Sequence, residues 1–282
     1  MKPTITCVVD NSARRSSDLW AEHGLAFWIT TEQGQALLDT GQSGTVLLHN
    51  LKALDLDPRS LNALALSHAH YDHTGGLSLL AEDLAPDTPL YANGDLLRER
   101  FSRRGERRRS IGLAVGESWL RAHFALHLND APQELLPGIW TTGAITERPH
   151  PGGYVPHQEI RGARGYVPDP YRDDLSLVVE SAGGLIVLCG CCHAGLLNTL
   201  EHVQRTFARP IIAVAGGTHL VSADSTTLVD IAERLANWEG LQRLYLNHCS
   251  GEDAYYTLRH ILGSEIARPC PAGTLLAWEA LG

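Results

Sequence analysis

Hydrophobic and polar positions alternate along this chain with two periods, and the changes of period mark its elements. Ala26-Phe27-Trp28-Ile29-Thr30 and Ala36-Leu37-Leu38-Asp39 are short apolar runs on either side of a turn at Gln33-Gly34, the pattern of paired strands. An earlier strand is expected from Met1 to Val9. Helical spacing follows over 46–54, then a buried strand at Ala63-Leu64-Ala65-Leu66. The second half repeats this grammar, with strands at 175–179 and 185–188 around Gly183-Gly184. Leu196, Leu197, Leu200, Val203 and Phe207 share a helical face ahead of a strand at 211–214. Leu228, Ile231 and Leu235 mark the next helix before a strand at 244–246, and Tyr255, Leu258, Ile261 and Leu262 mark the last. Sheets flanked by helices in both halves predict an α/β chain, a four-layer αββα sandwich with one face at its strand ends free for a site. The stretch 103–173 follows neither period and is rich in Gly, Pro, Arg and His. It is expected to be an irregular insertion near the site, within one domain spanning 1–282.

Charge and cysteine usage narrow the possible partners. A net charge of −9 repels nucleic acid and anionic membranes at long range. No run approaches the roughly 20 apolar residues of a membrane span. The first residues carry no apolar stretch followed by a small-residue cleavage site. Six cysteines in 282 residues are too few for a disulfide scaffold, and three of them crowd at Cys189, Cys191 and Cys192. The expectation is a reduced, cytoplasmic protein whose partner is a small molecule, with no nucleic acid and no membrane.

The densest chemistry is Ser67-His68-Ala69-His70-Tyr71-Asp72-His73-Thr74-Gly75-Gly76, directly after the strand ending at Leu66. In extended chain His68 and His70 point to the same side and can grip one ion. A turn into helix then carries Asp72 and His73 to a second position. Imidazole with carboxylate suits zinc, and also manganese or iron. The plainer reading, exposed histidines in a polar loop, requires three His and one Asp to fall within six residues by coincidence.

His68-x-His70-x-Asp72-His73 resembles the signature of the metallo-β-lactamase superfamily, and Leu37-Leu38-Asp39-Thr40-Gly41 resembles its first motif. The likeness extends to a subfamily of metal-dependent hydrolases that includes dihydropterin ribofuranosyl-aminobenzene-phosphate synthases. It runs through Glu22-His23-Gly24-Leu25, Thr142-Gly143-Ala144-Ile145, Gly190-Cys191-Cys192-His193-Ala194-Gly195, Gly216-Gly217-Thr218-His219-Leu220 and His248-Cys249-Ser250-Gly251. The resemblance implies two divalent ions, zinc first. It also implies that Asp39 supports the ligand loop, that His248 is the last ligand, and that 142–145 lies near the substrate. His193 is the candidate to complete the His68/His70 site. The superfamily's bridging carboxylate is missing, because Gly190-Cys191 stands where Gly-Asp is usual. Cys191 is either a thiolate ligand or a small buried cysteine. Asp174, near the place of another superfamily histidine, either coordinates, orients a ligand or serves a turn. His219 is a ligand, a proton donor, a supporting partner or a structural histidine.

Two adjacent metals acidify water and clamp carbonyl or phosphoryl oxygens. The leading expectation is therefore a metal-dependent hydrolase of an ester, lactone or phosphoester in a small anionic substrate, with Asp72 and His219 as candidate catalytic groups. The resemblance offers a synthase that condenses a dihydropterin diphosphate with an aminobenzene ribofuranosyl phosphate; a metal-binding sensor without catalysis is a further alternative. Di-iron redox relatives typically carry a glutamate where this chain has His70. Glu147 and Arg148 are candidates for substrate contact, with His150, His157 and Arg161 in the same stretch. The run Arg103-Arg104-Gly105-Glu106-Arg107-Arg108-Arg109 is either a phosphate-binding lip or a solvated loop.

Overall fold

Alternation along the central strands divides their side chains between separate cores, and that division builds the layers. In the strand Ala26–Thr31, Phe27 and Ile29 point to one core while Ala26 and Trp28 point to another. In Gly184–Cys189, Ile186 and Leu188 turn one way and Leu185, Val187 and Cys189 the other. Phe27, Ile29, Ile186 and Leu188 meet in a core between two sheets. Trp28 packs with Leu47 and Leu51 of the helix Gly44–Ala53 on one outer side. On the other, Leu185 and Val187 pack with the helices Leu196–Phe207, Ser225–Ala236 and Glu252–Leu262. The result is helix, sheet, sheet, helix, the αββα order expected. The structure is a computed structural model and describes residues 2–277. Its first strand is Thr4–Val9; Met1 lies outside the described residues.

One sheet has six strands, in the order Thr4–Val9, Ala26–Thr31, Gly34–Leu38, Ala63–Ala65, Thr88–Ala92 and Phe124–Leu128. The other has seven, in the order Ala267–Pro269, Arg243–Leu246, Ile211–Gly216, Gly184–Cys189, Ser176–Ser181, Ile139–Thr141 and Glu134–Leu136. Gly34–Leu38 and Ala63–Ala65 run parallel, as do Gly184–Cys189, Ile211–Gly216 and Arg243–Leu246. Their carboxyl ends carry Asp39, His68, Cys191, His219 and His248 within a few residues. Open α/β sheets place ligands beyond such ends.

The stretch 103–173 carries more regular structure than the sequence expectation, in short elements separated by loops. It contributes Phe124–Leu128, Glu134–Leu136 and Ile139–Thr141 to the edges of the two sheets. Arg100–Arg104, Arg107–Ser110, Gln158–Gly162 and Gly165–Pro168 form a third, antiparallel sheet of four strands. Arg107–Ser110 and Gly165–Pro168 are exposed throughout, so no apolar alternation announces them. The longest segment of 103–173 without strand or helix is 142–157. Among the described residues no helix is long and apolar enough to cross a membrane.

Leu188 is fully buried between the sheets. Leu188→Ala is expected to lower stability by about 2–5 kcal/mol, read as a fall in the urea midpoint at unchanged slope.

Candidate metal centre

The ligand loop is shaped by a change of backbone conformation at one residue. The chain is still extended at His70 (φ −63°, ψ 144°) and becomes helical at Tyr71–Thr74. His68 and His70 thus share one side, and the helical turn carries Asp72 and His73 to a neighbouring position. Three carboxylates hold the surrounding loops. Asp39, in the left-handed region at φ 60°, accepts from Ser67 N and Ser67 Oγ and from His73 Nδ1, each at 2.7 Å. Aspartate is among the residues that tolerate this conformation. Asp173 accepts from Ala69 N at 2.8 Å, between the first two histidines. Asp174 accepts from Ala194 N at 2.8 Å and fixes the loop carrying Cys191 and His193.

Four imidazoles have one ring nitrogen committed to protein. Ser67 Oγ gives its proton to Asp39 and therefore accepts from His68 Nδ1, at 2.9 Å. His73 Nδ1 donates to Asp39, His193 Nδ1 to Gly153 O at 2.9 Å, and His248 Nδ1 to Asn11 Oδ1 at 3.0 Å. That directs each Nε2 toward a common space, the arrangement that prepares a histidine for a metal. His73 Nε2 and His248 Nε2 stand 3.1 Å apart, with Cys191 Sγ 3.2 Å from the former. His193 Nε2 is buried with no partner. Donor atoms gathered this closely could hold a cation.

Donor atoms within 4.8 Å of one another form overlapping groups: His68, His70 and His193; His68, His73 and Cys191; His23, Asp72 and His248; Cys191, His219 and Cys249. Asp72 Oδ2 also lies 3.7 Å from His73 Nε2 and 3.4 Å from His248 Nε2. Cys191 belongs to two of these groups, with His68 and His73 and with His219 and Cys249.

The electrostatics agree with cation binding. Burial, with the neighbouring imidazoles, drives His68 and His193 well below the ordinary histidine range. Burial drives His70 to about 3. All three are held neutral, the ligating form. Burial alone would raise Asp72, but His73 and the hydrogen bonds from His23 and His248 hold it well below the usual carboxylate range. For His248 burial opposes protonation, yet Cys249 and Asp72 prevail and lift it to about 9. Positive charge is favoured at that end. Burial raises Asp174 to about 7, although Ala194 N works against it.

His68, His70, Asp72, His73, Cys191, His193, His219 and His248 therefore converge, with Asp39 and Asp174 bracing them. The His219 ring lies 4.2 Å from that of His193, and its backbone N–H meets Cys249 Sγ at 3.3 Å. Glu147 and Arg148 are not brought to this centre. Glu147 pairs with Arg205 at 3.3 Å, and the Arg148 guanidinium donates to Ile145 O, Pro170 O and Tyr171 O. Arg148 lines a separate cavity of about 960 Å³ with Asn93, Asp130 and Arg172. His150 pairs with Glu201 at 2.7 Å and Arg161 with Glu99 at 3.5 Å. The cavity facing the donors is about 240 Å³. His70, Asp72, His219 and His248 line one wall; Ser102, Arg104, Arg109, His157 and Gln158, on or beside the third sheet, line the other.

Sequence reasoning did not single out His23, Cys249 or Asp173. The first two lie inside quoted motif stretches, beside stronger candidates. Asp173 had no local signal, because its partner Ala69 is 104 residues away.

With fold and site in view, comparison with known proteins defines the class. The metallo-beta-lactamase superfamily model matches residues 19–186, and the chain belongs to that superfamily. Among individual proteins, it is 28% identical over 262 residues to a 7,8-dihydropterin-6-methyl-4-(beta-D-ribofuranosyl)-aminobenzene-5'-phosphate synthase of Methanocaldococcus jannaschii, covering 88% of this chain and 87% of that one. A crystal structure of a metal-dependent hydrolase of the beta-lactamase superfamily superposes with a TM-score of 0.82 at 24% identity, covering 98% of this chain and 99% of that one. Zn(2+)-bound PqqB from Methylobacterium extorquens superposes with a TM-score of 0.61 at 13% identity, over 98% and 100% of the respective chains. At these identities the two solved structures speak for the fold.

Asp39→Asn would set an amide N–H against Ser67 or His73 where a carboxylate now accepts from both. Divalent-metal affinity, measured by competition with a chromogenic chelator, is expected to fall by about 10–100-fold.

Proposed function

We propose that this protein is a metal-dependent hydrolase acting on an ester, lactone or phosphoester bond of a small anionic substrate. His68, His70 and His193 would hold one divalent ion, and Asp72, His73 and His248 a second. Cys191, 3.2 Å from His73 Nε2, would be a further candidate donor, where the superfamily commonly has a carboxylate. The observation that carries this reading is the set of four buried or half-buried imidazoles whose Nδ1 atoms are all engaged, turning their Nε2 atoms toward a shared space. Imidazole, carboxylate and thiolate donors suit zinc. Ions held there would acidify water and polarise the oxygens of the scissile group.

The chain's own groups do the rest. Asp72 would orient a nucleophilic water through its remaining acceptor capacity. His219, beside His193 and lining the cavity, would give a proton to the leaving oxygen. The third sheet covers the donors and limits access of bulk water. A second reading, a synthase that condenses a dihydropterin diphosphate with an aminobenzene ribofuranosyl phosphate, is favoured by the 28% identity that runs over 88% of the chain. It would use the same donors to stabilise a leaving diphosphate.

Elemental mass spectrometry of protein purified without chelator is expected to give close to two metal equivalents. His68→Ala and His248→Ala should each lose part of that content, from different sites. Full occupancy in both variants, or no metal in the unaltered protein, would sink the proposal.

A further inference from the structure

The basic run at 103–109 is a hairpin, and its register sorts the arginines onto two faces. Arg103 lies opposite Arg108, Arg104 opposite Arg107, and Ser102 opposite Arg109. Opposed residues share a face and successive residues alternate. Arg103 and Arg108 thus fall on one side, where Glu159 takes both, at 2.8 and 2.7 Å. Arg104, Arg107 and Arg109 fall on the other and have no carboxylate partner among the described residues. Arg104 and Arg109 line the cavity over the candidate metal donors, and both also line an adjoining cavity of about 380 Å³ with Ser102, Arg107 and Arg108.

This face is tied to the ligand loop. Tyr71, between His70 and Asp72, donates its backbone N–H to Ile111 O at 2.9 Å. Its ring lies 5.2 Å from the Arg109 guanidinium carbon. The positive patch is local, since the whole chain is at −9. Three guanidiniums on one face of a two-stranded turn repel one another until an anion joins them, and the planar guanidinium fork matches phosphate oxygens.

We propose that Arg104, Arg107 and Arg109 bind a phosphate or diphosphate group of the substrate, so that the molecule acted upon is a phosphorylated small molecule. The proposal rests on the metal-dependent reading of the neighbouring donors and names the substrate class of that same site. Arg103 and Arg108 take no part, because both are held by Glu159, although Arg108 also borders the smaller cavity.

The test is binding of phenyl phosphate to the full-length, metal-loaded protein by calorimetry, with metal content read on every sample. Arg104→Gln/Arg109→Gln is expected to weaken binding by about tenfold or more at unchanged metal content, while Arg104→Lys/Arg109→Lys retains part of it. Arg108→Gln, which leaves Arg103 on Glu159, should change it by less than about twofold. No binding to the unaltered protein would overturn the proposal, as would equal losses in the Arg108 variant and the double variant. Metal present with binding indifferent to Arg104 and Arg109 would also overturn it. Arginine-dependent binding by a protein that carries no metal would uphold the anion site and defeat the metal reading alone.

Discussion

The centre depends on one buried carboxylate. Asp39 ends the strand Gly34–Leu38 in a left-handed conformation and accepts from Ser67 N, Ser67 Oγ and His73 Nδ1. One side chain thus fixes the start of the ligand loop and, across the turn, its last histidine. Through Ser67 Oγ it also sets the His68 tautomer. A fully buried carboxylate with three donors is stable only where they are all in place, so the clamp and the loop define each other.

Around that clamp the fold acts as a rigid frame. Alternating side chains give each sheet two apolar faces, which forces four layers and aligns the parallel strands. Their carboxyl ends then bring together residues as distant in sequence as His73 and His248. Buried polar groups at these ends sit where no strand partner remains. Backbone and carboxylates meet their hydrogen-bonding needs while ring nitrogens stay free. Asp10 and Asn11 do this for His248, accepting from its backbone N–H and its Nδ1. Gly153 O does it for His193.

The third sheet gives the centre a different kind of wall, polar and positive, over one that is rich in lone pairs. Its attachment passes through backbone and aromatic contacts as well as ion pairs. Gln158 accepts from Tyr171 Oη at 2.8 Å, and the Tyr171 ring stacks on His193 at 4.1 Å. Buried Arg100 at its inner edge reaches Asp95, Asp169 and Asp173, and Asp173 in turn holds Ala69. A buried guanidinium of this kind needs such partners, because an unpaired charge there would be costly. The sheet and the ligand loop are therefore one connected structure.

The sequence by itself determined the layers and the local half of the centre. Periods of two and 3.6 locate the main strands and helices, because their burial is one-sided or complete. His68, His70, Asp72 and His73 are legible because a strand end and one helical turn position them without distant help. Histidines 193, 219 and 248 were legible as strand-end candidates, but their convergence with Cys191, and the presence of Cys249 and His23 beside them, was decided by the tertiary structure. So were the bracing role of Asp173 and the removal of Glu147 and Arg148 to another surface. The small sheet stayed hidden for a physical reason: its outer strands are exposed throughout, so backbone pairing rather than apolar burial defines them. Which arginines of a basic run face the centre is a matter of hairpin register, and register exists only once the strands have paired.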